Sequence, residues 1–98
     1  PMQAVERQRA LRLHEGYERA RVFVMGSLSY AERRVVRLLV REGLGDKEIA
    51  ARLDVSPRTV EAQLAEARRL AAAHWDLPDV TRTQLVALLA LYFASNPD

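Results

Sequence analysis

The stretch Glu48-Ile49-Ala50-Ala51-Arg52-Leu53-Asp54-Val55-Ser56-Pro57-Arg58-Thr59-Val60 decides the fold of this chain. It reads as a short helix, a tight turn and the capped start of a second helix. Ile49, Ala50, Leu53, Val55 and Val60 supply an apolar inner face, and Ala50 is small where two helices would cross closely. Ser56 is placed to accept from an orphan backbone N–H of the second helix. Pro57 falls at that helix's first position, where a missing N–H costs nothing. Two helices joined in this way form a helix-turn-helix, a motif whose second helix is shaped to enter the DNA major groove.

The flanking sequence supplies the scaffold. Ser29-Tyr30-Ala31-Glu32 is a capping box, in which the Ser oxygen takes an orphan N–H and the Glu reaches back. It opens a helix with a broad apolar face of Val35, Val36, Leu38, Leu39 and Val40, and Gly43 suits a left-handed cap at its end. The next helix spans about Asp46 to Leu53, with acidic Asp46 and Glu48 at its positive end. The one after it runs from Pro57 to about His74, with Val60, Leu64, Ala67 and Ala71 facing the core and Leu70 beside them. Trp75 to Asp79 is a linker, with Trp75 expected to plug the end of the core. Thr81-Arg82-Thr83-Gln84 is a second capping box, opening a last helix to about Ser95.

At the other end, Gln3 to Val24 reads as a helix with a stripe of Ala10, Leu13, Tyr17, Ala20 and Val24. Gly16 weakens it by about 1 kcal/mol relative to Ala and is a candidate kink. Gly26-Ser27 ends it. No strand pattern is present. The expected fold is all-α: an N-terminal helix over residues 1–27, then a single compact unit over 28–98. That unit comprises a tri-helical helix-turn-helix core and a C-terminal helix.

Ninety-eight residues suit one small domain, and a chain of this size gains from burial against a partner. There is no cysteine, which excludes disulfides and cysteine-built zinc sites. No apolar run approaches the roughly 18 residues that span a membrane. The first residues are polar and arginine-rich, unlike a signal peptide, so the expected compartment is the cytoplasm. Pro1 before Met2 reads as a remnant ahead of a native start, and on that reading no receiver or ligand domain is attached. The net charge of +2 hides an asymmetry. Residues 1–41 carry nine Arg against four Glu, whereas residues 42–80 carry five basic and eight acidic side chains. The helix-turn-helix thus lies in the acidic part, although Lys and Arg contacts to phosphate supply most non-specific DNA affinity.

Residues 28–70 resemble the helix-turn-helix of LuxR/FixJ-type (GerE-like) transcription regulators. The resemblance rests on Leu28-Ser29-Tyr30-Ala31-Glu32, Glu42-Gly43, Lys47-Glu48-Ile49-Ala50, Leu53, Ser56 and Thr59-Val60. Arg82-Thr83-Gln84-Leu85-Val86-Ala87-Leu88 is similar to that family's last helix. After Val60 the family usually has Lys, an apolar residue and His, where this chain has Glu61, Ala62 and Gln63. Leu64-Ala65-Glu66-Ala67-Arg68-Arg69-Leu70 instead resembles the recognition helix of sigma factor region 4. The resemblance implies a winged-helix-like, sequence-specific regulator that binds double-stranded DNA, dimerises through its last helix and needs no cofactor. The sigma-like helix implies an alternative, a module that contacts RNA polymerase or another regulator.

The candidate DNA-binding residues are Lys47, Ser56, Arg58, Thr59, Glu61, Ala62, Gln63, Ala65, Arg68 and Arg69. Arg can pair with guanine, Glu can accept from the cytosine amino group, and Ala can meet a thymine methyl. Lys47, Arg68 and Arg69 are candidate phosphate contacts. The N-terminal Arg7, Arg9, Arg12, Arg19 and Arg21 are expected mostly to pair with Glu6, Glu15 and Glu18 along their own helix, contact with flanking DNA backbone being the alternative. The last helix is apolar in nearly every direction, so Leu85, Leu88, Leu89 and Tyr92 are expected in a homodimer interface; cover from Leu13, Tyr17 and Val24 of the same chain is the alternative. His14 and His74 are isolated and the acidic pairs lack convergent partners, so no enzyme is expected. No effector pocket is legible.

Overall fold

The computed structural model describes residues 2–96. Five helices make up the described fold: α1 (Met2–Gly26), α2 (Tyr30–Glu42), α3 (Asp46–Leu53), α4 (Pro57–His74) and α5 (Arg82–Ser95). Their ends fall where the local chemistry puts them. Ser29 Oγ accepts from Glu32 N while Glu32 Oε1 accepts from Ser29 N, opening α2. Gly43 closes α2 in the left-handed region at φ 64°, where a Cβ would be strained. At α3 the capping box is one-sided: Glu48 accepts from Gly45 N, and glycine has no side chain to reciprocate. Thr81 and Gln84 cap α5 in the same reciprocal way as Ser29 and Glu32.

α2 is the central element, packed against α3, α4 and α5, while α1 lies on α5. The core comprises Val35, Val36, Leu38 and Leu39 of α2, Ile49 and Ala50 of α3, and Val60, Leu64, Ala67 and Ala71 of α4. Leu85, Leu89, Tyr92 and Phe93 of α5 join it, as do Ala20, Phe23 and Val24 of α1. No strand occurs among the described residues, so the expected winged-helix likeness is corrected: a wing is a β-hairpin, and none is formed here.

α1 departs from its expected stripe. It runs unbroken through Gly16, and only its C-terminal part is buried. Ala10 and Leu13 are exposed, Leu13 by 62%, while Phe23 is completely buried. The remaining length projects from the body, giving overall extents of 53 × 27 × 21 Å. The radius of gyration, 14.7 Å, exceeds the roughly 13 Å of a compact chain of this length for the same reason.

Long-range polar contacts fasten the outer helices. Arg82 Nη1 lies 2.7 Å from Asp46 Oδ1 and so ties the start of α5 to the start of α3. Arg41 Nη1 donates to the Phe93 carbonyl near the end of α5. Arg19 Nη2 donates to the His74 carbonyl at 3.2 Å, and His74 Nε2 meets the Arg19 carbonyl at 3.1 Å. A carbonyl only accepts, so this contact selects the tautomer with the proton on Nε2. Phe23 packs against His74 and Trp75 beside this bond, with ring centroids 5.4 and 5.1 Å away. Trp75 is half-buried at the end of the core, as its position in the linker implied.

Candidate nucleic-acid interface

α3, the turn and α4 form the candidate interface. Asp54 closes α3 in the left-handed region at φ 56°, and Val55 N donates to Ala50 O at 3.0 Å. Aspartate tolerates this conformation better than most side chains. Ser56 Oγ accepts from Thr59 N at 3.1 Å and shares a hydrogen bond with Thr59 Oγ1 at 2.9 Å. Pro57 follows at the first helical position. The turn is held by Ile49, Ala50 and Val60, all buried; Leu53 is half-buried, and Val55 is 40% exposed rather than part of the inner face.

Burial of Val60, Leu64, Ala67 and Ala71 turns the opposite side of α4 outward. Arg58, Ala62, Ala65 and Arg69 lie along that outer side, all exposed. Arg58 stands at the helix N-terminus, where partial positive charge and free N–H groups favour anions. No hydrogen bond or ion pair engages Arg58 or Lys47 among the described residues, and Lys47 is exposed in the first turn of α3. Thr59 and Gln63 occupy one flank and are half-buried. Glu61 occupies the other flank. It lines a small cleft of about 160 Å³ with Asp46, Ala65, Arg68 and Arg82.

Two expected phosphate contacts are engaged elsewhere. Arg68 Nε donates to the Val80 carbonyl at 2.7 Å and its Nη2 lies 3.9 Å from Asp79 Oδ1. It fixes the linker between α4 and α5. Arg69 keeps its outward position but is bonded to Glu66 one turn earlier. That guanidinium holds the Glu66 carboxyl below its ordinary value, and Glu66 in turn raises Arg69.

The expected dimer residues lie mostly within this chain's own core. Leu85 and Leu89 are fully buried and Tyr92 is 7% exposed, all within this chain; Leu88 is half-buried. Tyr17 of α1 packs against Tyr92 with ring centroids 5.7 Å apart, so Tyr17 and Val24 supply the cover. Leu13 does not reach it. The outward side of α5 carries Ala87, Ala90, Leu91 and Ala94.

Sequence reading missed Arg19, Arg41 and Arg82 as fasteners. Their partners lie 55, 52 and 38 or 36 residues away, and no local pattern encodes such pairs. Phe23 carried a usable signal, three residues after Ala20 on the same helix. Among the described residues, no group of three His, Cys, Asp or Glu could hold a metal ion, and no helix is long and apolar enough to cross a membrane.

The segment from the end of α1 through most of α4 has a counterpart among known families. Residues 23–70 match Sigma-70, region 4. Proteins from Mycobacterium bovis and Mycobacterium tuberculosis that carry the name HTH-type transcriptional regulator are 64% identical to the chain over 39 residues. That segment covers 40% of this chain and 4% of each relative, so the chain corresponds to a small part of those proteins. No solved structure matches the chain.

Proposed function

We propose that this chain binds double-stranded DNA sequence-specifically through α3 and α4 and acts as a transcription regulator. The carrying observation is the outer side of α4, where Arg58 stands at a capped, exposed helix N-terminus with Ala62 and Ala65 beyond it. Small residues there let the helix approach base edges, and Arg58 supplies a bidentate donor. The match to Sigma-70, region 4 and the names of the mycobacterial relatives support this reading, as do the LuxR/FixJ-like motifs. Such a regulator works in the cytoplasm and needs no catalytic group or cofactor.

Binding on this reading draws on fewer unshared charges, because Arg68 is bonded to the Val80 carbonyl and Arg69 to Glu66. Fluorescence anisotropy with a random double-stranded library at several salt concentrations tests the reading. The expected result is binding at low salt with a shallow salt slope, since each phosphate contact contributes about 0.9 to that slope. Arg58→Ala is expected to cost about 1–3 kcal/mol on a selected site. A folded protein with no affinity at low salt would falsify the proposal.

A second reading is a module that contacts RNA polymerase or another regulator. The match to Sigma-70, region 4 and the acidic balance of residues 42–80 favour it. Recovery of polymerase subunits on the immobilised chain, without DNA affinity, is its distinguishing outcome. In either case a homodimer through α5 would use the side around Leu91.

A further inference from the structure

A cavity of about 500 Å³ lies between the end of α1, the start of α2 and the end of α5, away from the exposed face of α4. Its floor is apolar, formed by the buried Val24, Tyr92 and Phe93, with Met25 and Tyr30 at its rim. Its wall is cationic, with Arg33 and Arg34 from the first turns of α2. Arg37 lines it as well, and among the described lining residues none is acidic.

Arg33 carries the argument. Its Nε is buried and has no hydrogen-bond partner among the described residues. Among the described residues, its Nη1 meets only the Met25 sulfur, at 3.9 Å. A thioether is a weak acceptor, and a guanidinium with five N–H donors is poorly satisfied by it. Burying a polar group without a partner costs free energy that a suitable acceptor would restore. Arg34 is placed differently, with its guanidinium carbon 5.5 Å from the centre of the Tyr30 ring. Tyr30 is 65% exposed and Met25 is 54% exposed, so apolar surface continues from the floor to the rim.

We propose that this cavity binds a small organic carboxylate with an apolar body. The carboxylate would take the place of the Met25 sulfur at Arg33, and the body would lie on Val24, Tyr92 and Phe93. The volume falls within the range of roughly 300–1,000 Å³ that holds small molecules, and the mix of an apolar floor with a few convergent polar groups is the usual make-up of such sites. A planar, bidentate anion matches the guanidinium fork better than a spherical ion does. α2 also packs against α4, so the occupant would sit one helix away from the exposed face of α4.

The probe is 2-naphthoate, titrated into the full chain and followed in amide correlation spectra. Saturable shifts at Met25, Arg33, Tyr92 and Asn96 are expected. Two comparisons isolate the carboxylate contact. The alcohol 2-naphthylmethanol, with the same body and no charge, is expected to bind about tenfold more weakly or worse, as is 2-naphthoate to Arg33→Gln. Absence of saturable shifts at millimolar acid overturns the proposal. So does equal binding of acid and alcohol, or equal binding of acid to the native chain and to a folded Arg33→Gln. Should that variant not fold, the acid–alcohol comparison on the native chain decides. None of these measurements involves DNA, so the outcome is independent of the DNA-binding reading.

Discussion

Arg69 is bonded through Nε and Nη2 to the Glu66 carboxylate, and the pair sits on the part of α4 that would face phosphate. The bond holds Glu66 below the ordinary carboxylate range, which is near pH 4. A lowered acid contributes its stabilisation above the unfolded-state value and loses it as pH falls through the folded-state value. The contribution is therefore complete at neutral pH and is lost as pH falls below the ordinary carboxylate range. Both side chains are exposed, so its size is that of a solvent-screened pair. A carbon-detected titration is expected to place the Glu66 midpoint below that of a reference Glu, and Arg69→Ala should return it to the ordinary value. An ordinary midpoint in the native chain would show that the pair does not persist in solution. Glu66→Gln leaves Arg69 available to phosphate. It should strengthen DNA binding at low salt and steepen the salt slope by up to about one phosphate contact.

At the scale of elements, the caps and the turn were legible because their chemistry is local. Ser29 with Glu32, Thr81 with Gln84, Ser56 with Pro57, and Gly43 each act within a few residues, and each helix begins or ends where they stand. α1 was less legible. Periodicity marks a face that could be buried, but whether another element reaches that face depends on tertiary placement. The stripe that ends in Ala20 and Val24 continues to Leu13, and there α5 no longer lies beneath it. Gly16 sits in this projecting part, and a Cβ built there meets nothing within 4 Å. Gly16→Ala is expected to strengthen α1 by about 0.5–1 kcal/mol, through helix propensity alone. Because a side chain at residue 16 would meet no other element, the gain belongs to the helix and not to the core. It should appear as higher far-ultraviolet ellipticity and slower amide exchange around residue 16, with little change in global unfolding. A cooperative rise of the same size in global stability would mean that the projecting part packs on the body.

For the whole molecule, composition left one question open. α5 is apolar on nearly every side, which the sequence alone could resolve only by a partner copy or by cover from the same chain. The fold resolves most of it internally. α2 and α4 meet one side, and Tyr17, Phe23 and Val24 of α1 belong to the same core. Arg82 to Asp46 and Arg41 to the Phe93 carbonyl then fasten the two ends of α5. Two leucines of α5 separate an internal contact from an external one. Leu89 is fully buried, whereas Leu91 is 45% exposed. Leu89→Ala removes packed methyl groups and leaves a cavity, so it should cost about 2–5 kcal/mol in urea unfolding at any protein concentration. Leu91→Ala should leave the unfolding of isolated chains within about 0.5 kcal/mol of the native value. If copies pair through the outward side of α5, Leu91→Ala should also weaken that pairing, lowering the molar mass seen by light scattering and removing any concentration dependence of the unfolding midpoint. A large, concentration-independent loss with Leu91→Ala, or a small one with Leu89→Ala, would place α5 the other way round in the fold.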